Sequence, residues 1–337
     1  MGEERQIDVH TRRAFTGLLT AAAFAPVVAR AQYAVHGDYA APGMALQALT
    51  TTVKAAEDHF ERMTVPVMLN GQGPFPFVVD TGSNRTVISD TLAQHLSLPA
   101  GGIIQVSSAT GIDSTPSAHI ARLAVGQREV SDILAPVLVS TDLGAAGMLG
   151  IDAVADQTII MDFKAWSMRI QPSSRKEDDP NAVVVRGRSK YGQLILVDSW
   201  AEGIPLYVII DTGGQMTIGN LKLRETLLRR RAHTPTPILV HGVTGGEVEA
   251  DESVISRVTL GHVEMKNLPI AYTDMHAFDQ FGLKDKPAML LGMSTLRLFN
   301  RVWIDFKARQ VRFLFADEAR MMDRAVIARE ATTFPRG

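Results

Sequence analysis

The sequence predicts a mainly β protein built from two similar lobes, and three observations support this fold class. The segment "FVVDTGSNRTVIS" at 77–89 is similar to the segment "VIIDTGGQMTIGN" at 208–220, and both contain Asp-Thr-Gly after an apolar run. A specified tripeptide is expected by chance about 0.07 times in 337 residues, so two copies in matching contexts indicate a duplication. Most apolar runs are short, which is typical of strands. The polar, proline-bounded stretch "QPSSRKEDDPN" at 171–181 separates the copies.

Composition excludes several classes of protein. The chain is 46% hydrophobic and 21% charged, which suits a globular protein of about two domains. Its net charge of −2 gives no field that would attract nucleic acid or an acidic membrane. We interpret the basic run Arg229–Arg231 as the solvated end of an amphipathic helix. There is no cysteine, and the nine histidines lack metal-ligand spacing, so we predict neither a metal nor a cofactor.

The N-terminus predicts an export signal. Arg12 and Arg13 precede a weakly apolar stretch, and Ala29-Arg30-Ala31 offers the small residues of a cleavage site. The order Thr-Arg-Arg-x-Phe resembles a twin-arginine signal. We therefore expect a signal peptide at 1–31 and a leader or tether at 32–61. The protein is then periplasmic or exported, and it meets the membrane only if the signal stays uncut. No other segment approaches 18 uncharged apolar residues.

The first half of the chain predicts a succession of short strands. From Arg62, "MTVPVMLNGQGPFPFVVDTG" predicts a strand, an Asn-Gly turn and a second strand. Pro66 favours an edge position for the first of these strands. "TVIS" predicts a third strand, and "DTLAQHL" a helical turn capped by Asp90. Further strands are predicted at 103–108, 117–125, 136–140, 157–163 and 166–171.

The second half repeats the order of elements of the first. "GMLGIDAV" at 147–154 matches "MLLGMSTL" at 289–296, and "IIMDFKAWSMRI" at 159–170 matches "RVWIDFKARQVRFLF" at 301–315. The offset between copies is 131 residues from Asp80 to Asp211 and 143 residues from Asp162 to Asp305. Helical periodicity is confined to segments near 90–96, 221–231 and 293–299. The predicted organisation is a first lobe at 62–171, a linker at 172–190, a second lobe at 191–316 and a tail at 317–337.

Each half resembles one lobe of an aspartic protease, with an apolar strand, Asp-Thr-Gly, a further strand and a distant hydrophobic pair followed by glycine. The resemblance covers residues 62–316. It is closer to a single-chain, tandem retropepsin-like peptidase of the bacterial type than to pepsin, because the lobes are short and disulfides are absent. It implies two pseudo-symmetric lobes of retropepsin or pepsin type with the active site between them. The chain would then be a monomer and an internal pseudo-dimer.

The two Asp-Thr-Gly copies predict one catalytic dyad, Asp80 and Asp211. Peptide cleavage without a metal or a covalent intermediate needs a base to activate water and an acid to protonate the carbonyl or the amine. Two carboxyls about 3 Å apart cannot both ionise, so an aspartic-protease dyad shares one proton and supplies both functions. One lobe carries one such carboxylate. The duplication therefore predicts an aspartic-type endopeptidase.

The resemblance also implies roles for the neighbouring residues. Thr81 and Thr212 exchange hydrogen bonds with the opposite lobe, and Gly82 and Gly213 let the backbone approach the carboxylates. Hydrophobic-hydrophobic-Gly triplets support the loops from below, at Met148, Leu149, Gly150, Leu290, Leu291 and Gly292. The copies differ at the next position, where Ser83 stands against Gly214. We expect the Ser83 hydroxyl to donate to Asp80 and so to place the shared proton more often on Asp211.

Two glycine-containing segments predict flaps over the active site. They lie at 106–114 and 239–249, and their candidate tip residues are Ala109, Thr110, Gly111, Thr244, Gly245 and Gly246. Neither segment contains the tyrosine of pepsin-like flaps. A β-hairpin flap can pair with the backbone of an extended strand, so the expected partner is a peptide or protein substrate. No nucleic-acid partner is expected.

Two other functions compete with this interpretation. A periplasmic peptide-binding module could keep the same fold without catalysis, because a fold does not guarantee activity. Two intact acids argue against this, since they repel each other without a catalytic use. Loops with Asp-Gly after an apolar strand also occur in actin-like and sugar-kinase-like phosphotransferases. Those folds need long helices alternating with strands, and the sequence predicts only short ones.

Overall fold

The computed structural model describes residues 53–54, 56–57, 62–108, 111–126, 128–154, 157–173, 179–228 and 236–315. The predicted signal peptide, most of the tether, the basic run Arg229–Arg231 and the tail from 317 lie outside these residues. The prediction of a mainly β fold with two similar lobes is confirmed. No helix in the described ranges is long and apolar enough to span a membrane.

The strands and helices follow the order of the two sequence copies. In the first half, the described strands are β1 Val53–Lys54, β2 Ala56–Glu57, β3 Met63–Leu69, β4 Gln72–Val79, β5 Val87–Ser89, β6 Ala100–Ser108, β7 Gly111–Val125, β8 Arg128–Leu138, β9 Gly147–Leu149, β10 Gln157–Asp162 and β11 Ser167–Pro172. In the second half, they are β12 Val183–Lys190, β13 Gln193–Leu196, β14 Ser199–Ala201, β15 Ile204–Pro205, β16 Tyr207–Ile210, β17 Ile218–Gly219, β18 Thr236–His241, β19 Glu247–Leu260, β20 Val263–Tyr272, β21 Ala288–Leu291, β22 Phe299–Asp305 and β23 Gln310–Phe315. The helices are short: α1 Asp90–His95, α2 Ser140–Leu143, α3 Ile151–Val154, α4 Leu221–Leu228, α5 His276–Gln280 and α6 Met293–Leu296.

The first lobe is a sheet that closes on itself. Its order is β2-β3-β4-β9-β5-β8-β7-β6, and an additional pairing of β3 with β7 closes it. The prediction that Pro66 marks an edge strand is therefore wrong. Strand β2 pairs with residues 63–64 and β7 with residues 67–69, so Pro66 falls between two partners. On β4 it faces Pro76, and since neither residue has an N–H, no ladder hydrogen bond is lost there.

Helix α1 begins as predicted near residue 90, but its cap differs. The N-cap is Ser89, whose hydroxyl accepts a hydrogen bond of 3.2 Å from the Leu92 N–H. Asp90, the predicted cap, is the first helical residue, and its carboxylate accepts from the N–H of Ser140 at 3.0 Å. The carboxylate therefore joins α1 to the start of α2 rather than capping its own helix.

A second sheet of 15 strands joins the two lobes. Its order is β1-β11-β10-β22-β23-β12-β13-β16-β21-β17-β20-β19-β14-β15, with β18 added on β19. The matched hairpins β10–β11 and β22–β23 meet through antiparallel pairing of β10 with β22. In that pair Ile160 faces Trp303, and these are equivalent residues under the 143-residue offset. A local twofold relation between the lobes therefore passes through this pair.

Part of the segment predicted as a linker is a strand of the joining sheet. Residues 183–190 form β12, which pairs with β23 on one side and with β13 on the other. The described part of the connection between the lobes is therefore integrated into the fold by hydrogen bonds.

The strands that lead to the two Asp-Thr-Gly copies are buried on both faces. Successive strand residues point to opposite sides, and Val78 and Val79 belong to different apolar clusters. Ile209 and Ile210 are divided in the same way, since Ile210 belongs to the same cluster as Val79 and Ile209 to a separate one. This explains why the sequence is continuously apolar before each Asp. The loops that follow are held by packing from two sides.

Candidate active site

The Asp-Thr-Gly loops begin where two buried parallel pairs of strands end. Strand β4 runs parallel to β9, and β16 runs parallel to β21. The Asp80 N–H donates to the Leu149 carbonyl at 2.9 Å, and the Asp211 N–H donates to the Leu291 carbonyl at 3.1 Å. The second residue of each hydrophobic pair therefore fixes the backbone of the acid in its own lobe.

Thr81 and Thr212 connect the loops across the lobe boundary. Each backbone N–H donates to the hydroxyl of the other threonine at 3.1 Å. The Thr81 hydroxyl donates to the Ile210 carbonyl at 2.7 Å, and the Thr212 hydroxyl donates to the Val79 carbonyl at 2.6 Å. Both threonines are 2% exposed, so these bonds are protected from water. This exchange is the arrangement that the resemblance implies.

The two carboxylates converge on one place between the loops. Asp80 Oδ1 accepts from the N–H groups of Gly82 at 2.8 Å and Ser83 at 3.1 Å. Asp211 Oδ1 accepts from Gly213 at 3.1 Å and Gly214 at 3.0 Å. A Cβ on Gly82 would lie 2.8 Å from Asp211 Oδ1 and 3.2 Å from Asp80 Oδ1.

A side chain at Gly82 or Gly213 would overlap the carboxyl groups of the two aspartates. A Cβ on Gly213 would lie 2.3 Å from Asp80 Cγ, which is closer than real atoms pack. Glycine is therefore required in both copies because each loop contacts the other lobe's carboxylate.

Burial and proximity both perturb the acids. Burial, and after it the charge of Asp211, raise the pKa of Asp80 to about 7, against the lowering effect of the Gly82 N–H. Burial also raises the pKa of Asp211, while hydrogen bonds from Gly214, Gly213 and Asp80 and the charge of Arg62 act in the lowering direction. The pair can hold one proton well above the pH at which an ordinary aspartate ionises.

The prediction for the Ser83 hydroxyl is wrong. The hydroxyl has one hydrogen, which it donates to the Arg85 carbonyl at 2.8 Å, so it cannot also donate to Asp80. Serine hydroxyls commonly bond the nearby backbone in this way. Asp80 receives the Ser83 backbone N–H instead, as Asp211 receives that of Gly214. The expected preference of the shared proton for Asp211 therefore loses its basis.

The raised pKa of Asp80 predicts a pH-dependent stability. Between about pH 4 and pH 7 the folded state keeps a proton that the unfolded chain releases, so stability falls as pH rises through this window. Asp80→Asn removes that loss. We expect the free energy of unfolding of the variant, relative to that of the wild type, to increase as the pH rises from 4 to 7. The upper limit of this increase is about 4 kcal/mol, and the expected increase is smaller because Asp80 is only half-buried. Chemical denaturation at several pH values measures this difference, and parallel curves would contradict it.

The glycines of the hydrophobic-hydrophobic-Gly triplets lie in tight passages beneath the loops. A Cβ on Gly150 would lie 2.3 Å from the carbonyl carbon of Arg85, and one on Gly292 would lie 2.1 Å from the carbonyl oxygen of Met216. Met148 and Leu149 are buried, as are Leu290 and Leu291. The triplets therefore pack directly against the backbone that follows each acid.

Two threonines that the sequence analysis missed complete this support. The Thr86 hydroxyl accepts from the Gly150 N–H at 3.3 Å and donates to Asp152 at 2.7 Å. The Thr217 hydroxyl accepts from the Gly292 N–H at 3.1 Å and lies 2.6 Å from the Thr295 hydroxyl. A signal was present, because both threonines follow the Asp of their copy by the same six residues.

The two candidate flaps are hairpins that meet above the acids. Strands β6 and β7 form one, and β18 and β19 form the other. Ala109 and Thr110 lie outside the described residues, and Gly111 begins β7. In the second tip Gly245 has φ +84°, and the Thr244 hydroxyl donates to the Ser108 hydroxyl at 3.0 Å. Gly246 accepts from the Gly242 N–H at 2.8 Å, which closes the turn.

The flaps and the two acids line a single cleft. Its volume is about 1280 Å³, larger than the roughly 300–1,000 Å³ of pockets for small ligands. Val243, at the second flap tip, packs against an apolar cluster of the first lobe that includes Leu138 and Met148. Within the described ranges, no three His, Asp or Glu side chains are grouped so as to hold a metal ion.

Comparison with protein families agrees with the geometry. A family model described as "gag-polyprotein putative aspartyl protease" matches residues 65–156, and one described as "Aspartyl protease" matches residues 197–295. The first range contains Asp80 and the second contains Asp211. No curated protein shows significant similarity to the chain. The chain thus carries two aspartic-protease-like domains in tandem, which supports aspartic protease activity in general.

Proposed function

We propose that the protein is an endopeptidase in which Asp80 and Asp211 form one catalytic dyad. The observation that carries this proposal is the convergence of both carboxylates on the same point, each held by two backbone N–H groups, at the base of a large cleft. Each of the two sequence copies supplies one of these carboxylates and the two N–H groups that hold it. A dyad of this kind provides acid and base together without a metal or another cofactor.

The geometry supports general acid–base hydrolysis. The ionised carboxylate takes a proton from a water molecule as its oxygen attacks the peptide carbonyl carbon, and the protonated carboxyl donates its proton to the carbonyl oxygen. The resulting tetrahedral diol collapses as the protonated carboxyl passes its proton to the nitrogen and the ionised carboxylate takes a proton from a diol hydroxyl. The C–N bond breaks to give a carboxylic acid and an amine, and the dyad again holds one proton. Burial raises the pKa of both acids, so the pair is suited to hold one proton at the start.

The substrate is a peptide or protein segment bound as an extended strand. Residues of both flap hairpins line the cleft, and the backbone of a β-hairpin can bind an extended chain by strand addition. A monomer suffices, because both halves of the site come from one chain.

Incubation of the purified protein with a mixture of defined peptides from pH 3 to pH 8 tests the proposal. We expect cleavage within the peptides, inhibition by a statine-type mimic of the diol, and no effect of chelators. Binding of peptides without any cleavage across this range would instead favour the alternative of an inactive peptide-binding module.

The mature protein acts outside the cytoplasm, a proposal that rests on Arg12, Arg13 and the small residues at 29–31. If the pair is a twin-arginine signal, replacing both arginines by lysine should leave the protein in the cytoplasm as a longer, uncut chain. Cell fractionation and the mass of the product measure this. Unchanged export of the double-lysine variant would contradict it.

A further inference from the structure

Each lobe extends one long polar side chain to the Asp-Thr-Gly loop of the other lobe. Arg62 Nη1 donates to the Gly213 carbonyl at 3.4 Å, and Gln193 Nε2 donates to the Gly82 carbonyl. Arg62 and Gln193 are 131 residues apart, the offset that also relates Asp80 to Asp211. They are therefore equivalent positions of the two lobes, and they make equivalent contacts.

Both side chains are buried, which is unusual for their types. Arg62 is 3% exposed and Gln193 is 2% exposed. Burial of a charged or amide group is costly unless it is hydrogen-bonded. Arg62 Nη2 also donates to the Leu143 carbonyl at 2.6 Å, which anchors the guanidinium next to the loop. The contacts to the loops are therefore part of the packed lobe boundary.

The contacted glycines also hold the acids. Gly213 donates its N–H to Asp211 Oδ1 while its carbonyl accepts from Arg62. Gly82 donates its N–H to Asp80 Oδ1 while its carbonyl accepts from Gln193. Each glycine carbonyl shares a planar peptide unit with the next N–H in the chain, that of Ser83 or Gly214. Those N–H groups donate to Asp80 Oδ1 and Asp211 Oδ1, so a shift of either carbonyl would tilt a donor that orients a carboxylate. The cross-lobe side chains are therefore placed to hold the two loops without touching the reacting atoms of the dyad.

We propose that Arg62 and Gln193 are a reciprocal pair of positioning residues, each fixing the catalytic loop of the opposite lobe. The proposal rests on the proposed function of the dyad. It further assigns a difference in charge between the two halves of the site, because Arg62 is a cation and Gln193 is neutral.

The charge of Arg62 acts on both acids. It lowers the pKa of Asp80 and of Asp211 against the effect of burial. The other charged side chains that line the same cleft are Arg85, Asp142, His241, Glu252 and Arg297. A positive charge favours the ionised form of a carboxyl, so Arg62 extends ionisation of the dyad to lower pH.

The test compares three variants of the full chain. Arg62→Gln makes the two lobes alike and keeps a donor for the Gly213 carbonyl, Arg62→Lys keeps the charge, and Gln193→Ala removes the neutral contact. We expect Arg62→Gln to move both limbs of the pH profile of kcat/KM to higher pH by about one unit, since removal of a cation raises both pKa values. Arg62→Lys should leave the limbs near their wild-type positions, and Gln193→Ala should lower kcat without moving them.

Carboxyl NMR of protein labelled at aspartate Cγ provides a second measurement that does not depend on turnover. The dyad resonances, assigned with Asp80→Asn and Asp211→Asn, should titrate at higher pH in Arg62→Gln. Titration that is unchanged in Arg62→Gln would overturn the proposal, even if the variant were less stable or less active. A shifted titration in a protein that cleaves no peptide would support the pairing and reject only the proposed function.

A separate observation concerns Arg85 and Met216, which are also 131 residues apart and both line the cleft. Their backbones occupy matching places against Gly150 and Gly292, so their side chains leave from equivalent points of the two halves. Arg85 is exposed, and within the described part of the chain its guanidinium lies in no ion pair. Met216 packs against the apolar cluster of the second lobe that includes Phe281.

We infer that the two halves of the cleft select different substrate side chains, an acidic one near Arg85 and an apolar one near Met216. This inference also depends on the proposed function. A guanidinium binds a carboxylate by charge-assisted hydrogen bonds, whereas a thioether among apolar side chains excludes a charge. Because Arg85 and Met216 occupy equivalent positions of two lobes that each supply one acid, the acidic and apolar residues should fall on opposite sides of the cleaved bond.

Matched peptides that carry Glu or Gln at single positions test this selectivity. We expect the wild type to prefer Glu at one position by about tenfold in kcat/KM at low salt, and Arg85→Met to reduce this preference to near one. Met216→Arg should create an acidic preference on the other side of the cleaved bond. A wild type without any acidic preference, or one that Arg85→Met leaves unchanged, would overturn the inference. If no peptide is cleaved, the affinities of the Glu and Gln peptides for Asp80→Asn measure the selectivity of the cleft, and this measurement does not depend on catalysis.

Discussion

Replacement of Asp80 or Asp211 by asparagine is expected to abolish peptide cleavage, with a loss of at least about 10³-fold in kcat/KM. Both steps of the proposed reaction need one carboxylate that accepts a proton and one carboxyl that donates it. An asparagine can do neither, although it keeps the size of the side chain. The two single variants should be equally inactive, because each leaves only half of a shared-proton pair. Steady-state cleavage of one defined peptide measures the effect.

Folding is not expected to suffer in these variants. Removal of one acid relieves repulsion and the cost of burying a charge, so thermal stability should stay the same or rise. Asp132→Asn is a matched control, since Asp132 is an exposed residue of β8 with φ +58°, a conformation that asparagine tolerates. It should keep wild-type cleavage. Turnover near the wild-type level in either dyad variant would reject the proposed mechanism.

Gly292→Ala is expected to destabilise the protein by about 3 kcal/mol or to prevent folding. Its φ of −83° is accessible to alanine, so the effect comes from space alone. The new Cβ would lie 2.1 Å from the Met216 carbonyl oxygen. This oxygen belongs to the backbone of the loop that follows Asp211, which cannot turn aside as a side chain can. Urea denaturation and the yield of soluble protein measure the loss.

Gly203→Ala is the comparison for this variant. A Cβ on Gly203 meets no atom within 4 Å, but its φ is +80°. The cost there is that of a left-handed backbone, about 1–2 kcal/mol. Gly292→Ala should therefore be the more damaging of the two, and it should also reduce activity per folded molecule because the loop that carries Asp211 must move. An equal, small loss in both variants would contradict the tight passage beneath the loop.

The sequence by itself determined the duplication and the two acids. Apolar runs before Asp80 and Asp211 are continuous because the strands are buried on both faces, and such a pattern is local and visible in a single chain. The glycines that follow each acid are likewise required by close approach of backbone and carboxylate. Two copies of the Asp-Thr-Gly segment then predict a pair of related lobes, because each copy supplies only one of the two acids of a dyad.

Local sequence patterns gave wrong predictions where a side chain or a strand had more than one available partner. The Ser83 hydroxyl could reach either the acid or the Arg85 carbonyl, and its position in the turn favours the carbonyl. Pro66 suggested an edge strand, yet two different strands pair with the residues on either side of it. Residues 183–190 follow a polar, proline-bounded stretch, and they form a strand because β23 and β13 lie beside them. For Pro66 and residues 183–190 the outcome depends on neighbours that are distant in sequence, whereas the Ser83 hydroxyl bonds a carbonyl only two residues away.

Only the tertiary structure decided which residues act across the lobe boundary. Arg62 and Gln193 stand at the same 131-residue offset as the two acids, but they differ in residue type and belong to no shared motif. Their common role appears only when both are seen to contact the other lobe's glycine carbonyl. Hydrophobic periodicity reports whether a side chain faces a core, but a polar side chain that is buried by a partner 151 residues away leaves no periodic signal. The sequence thus determines the two acids and their loops, whereas the packing of one lobe on the other determines how those loops are held and how unequal the two halves are.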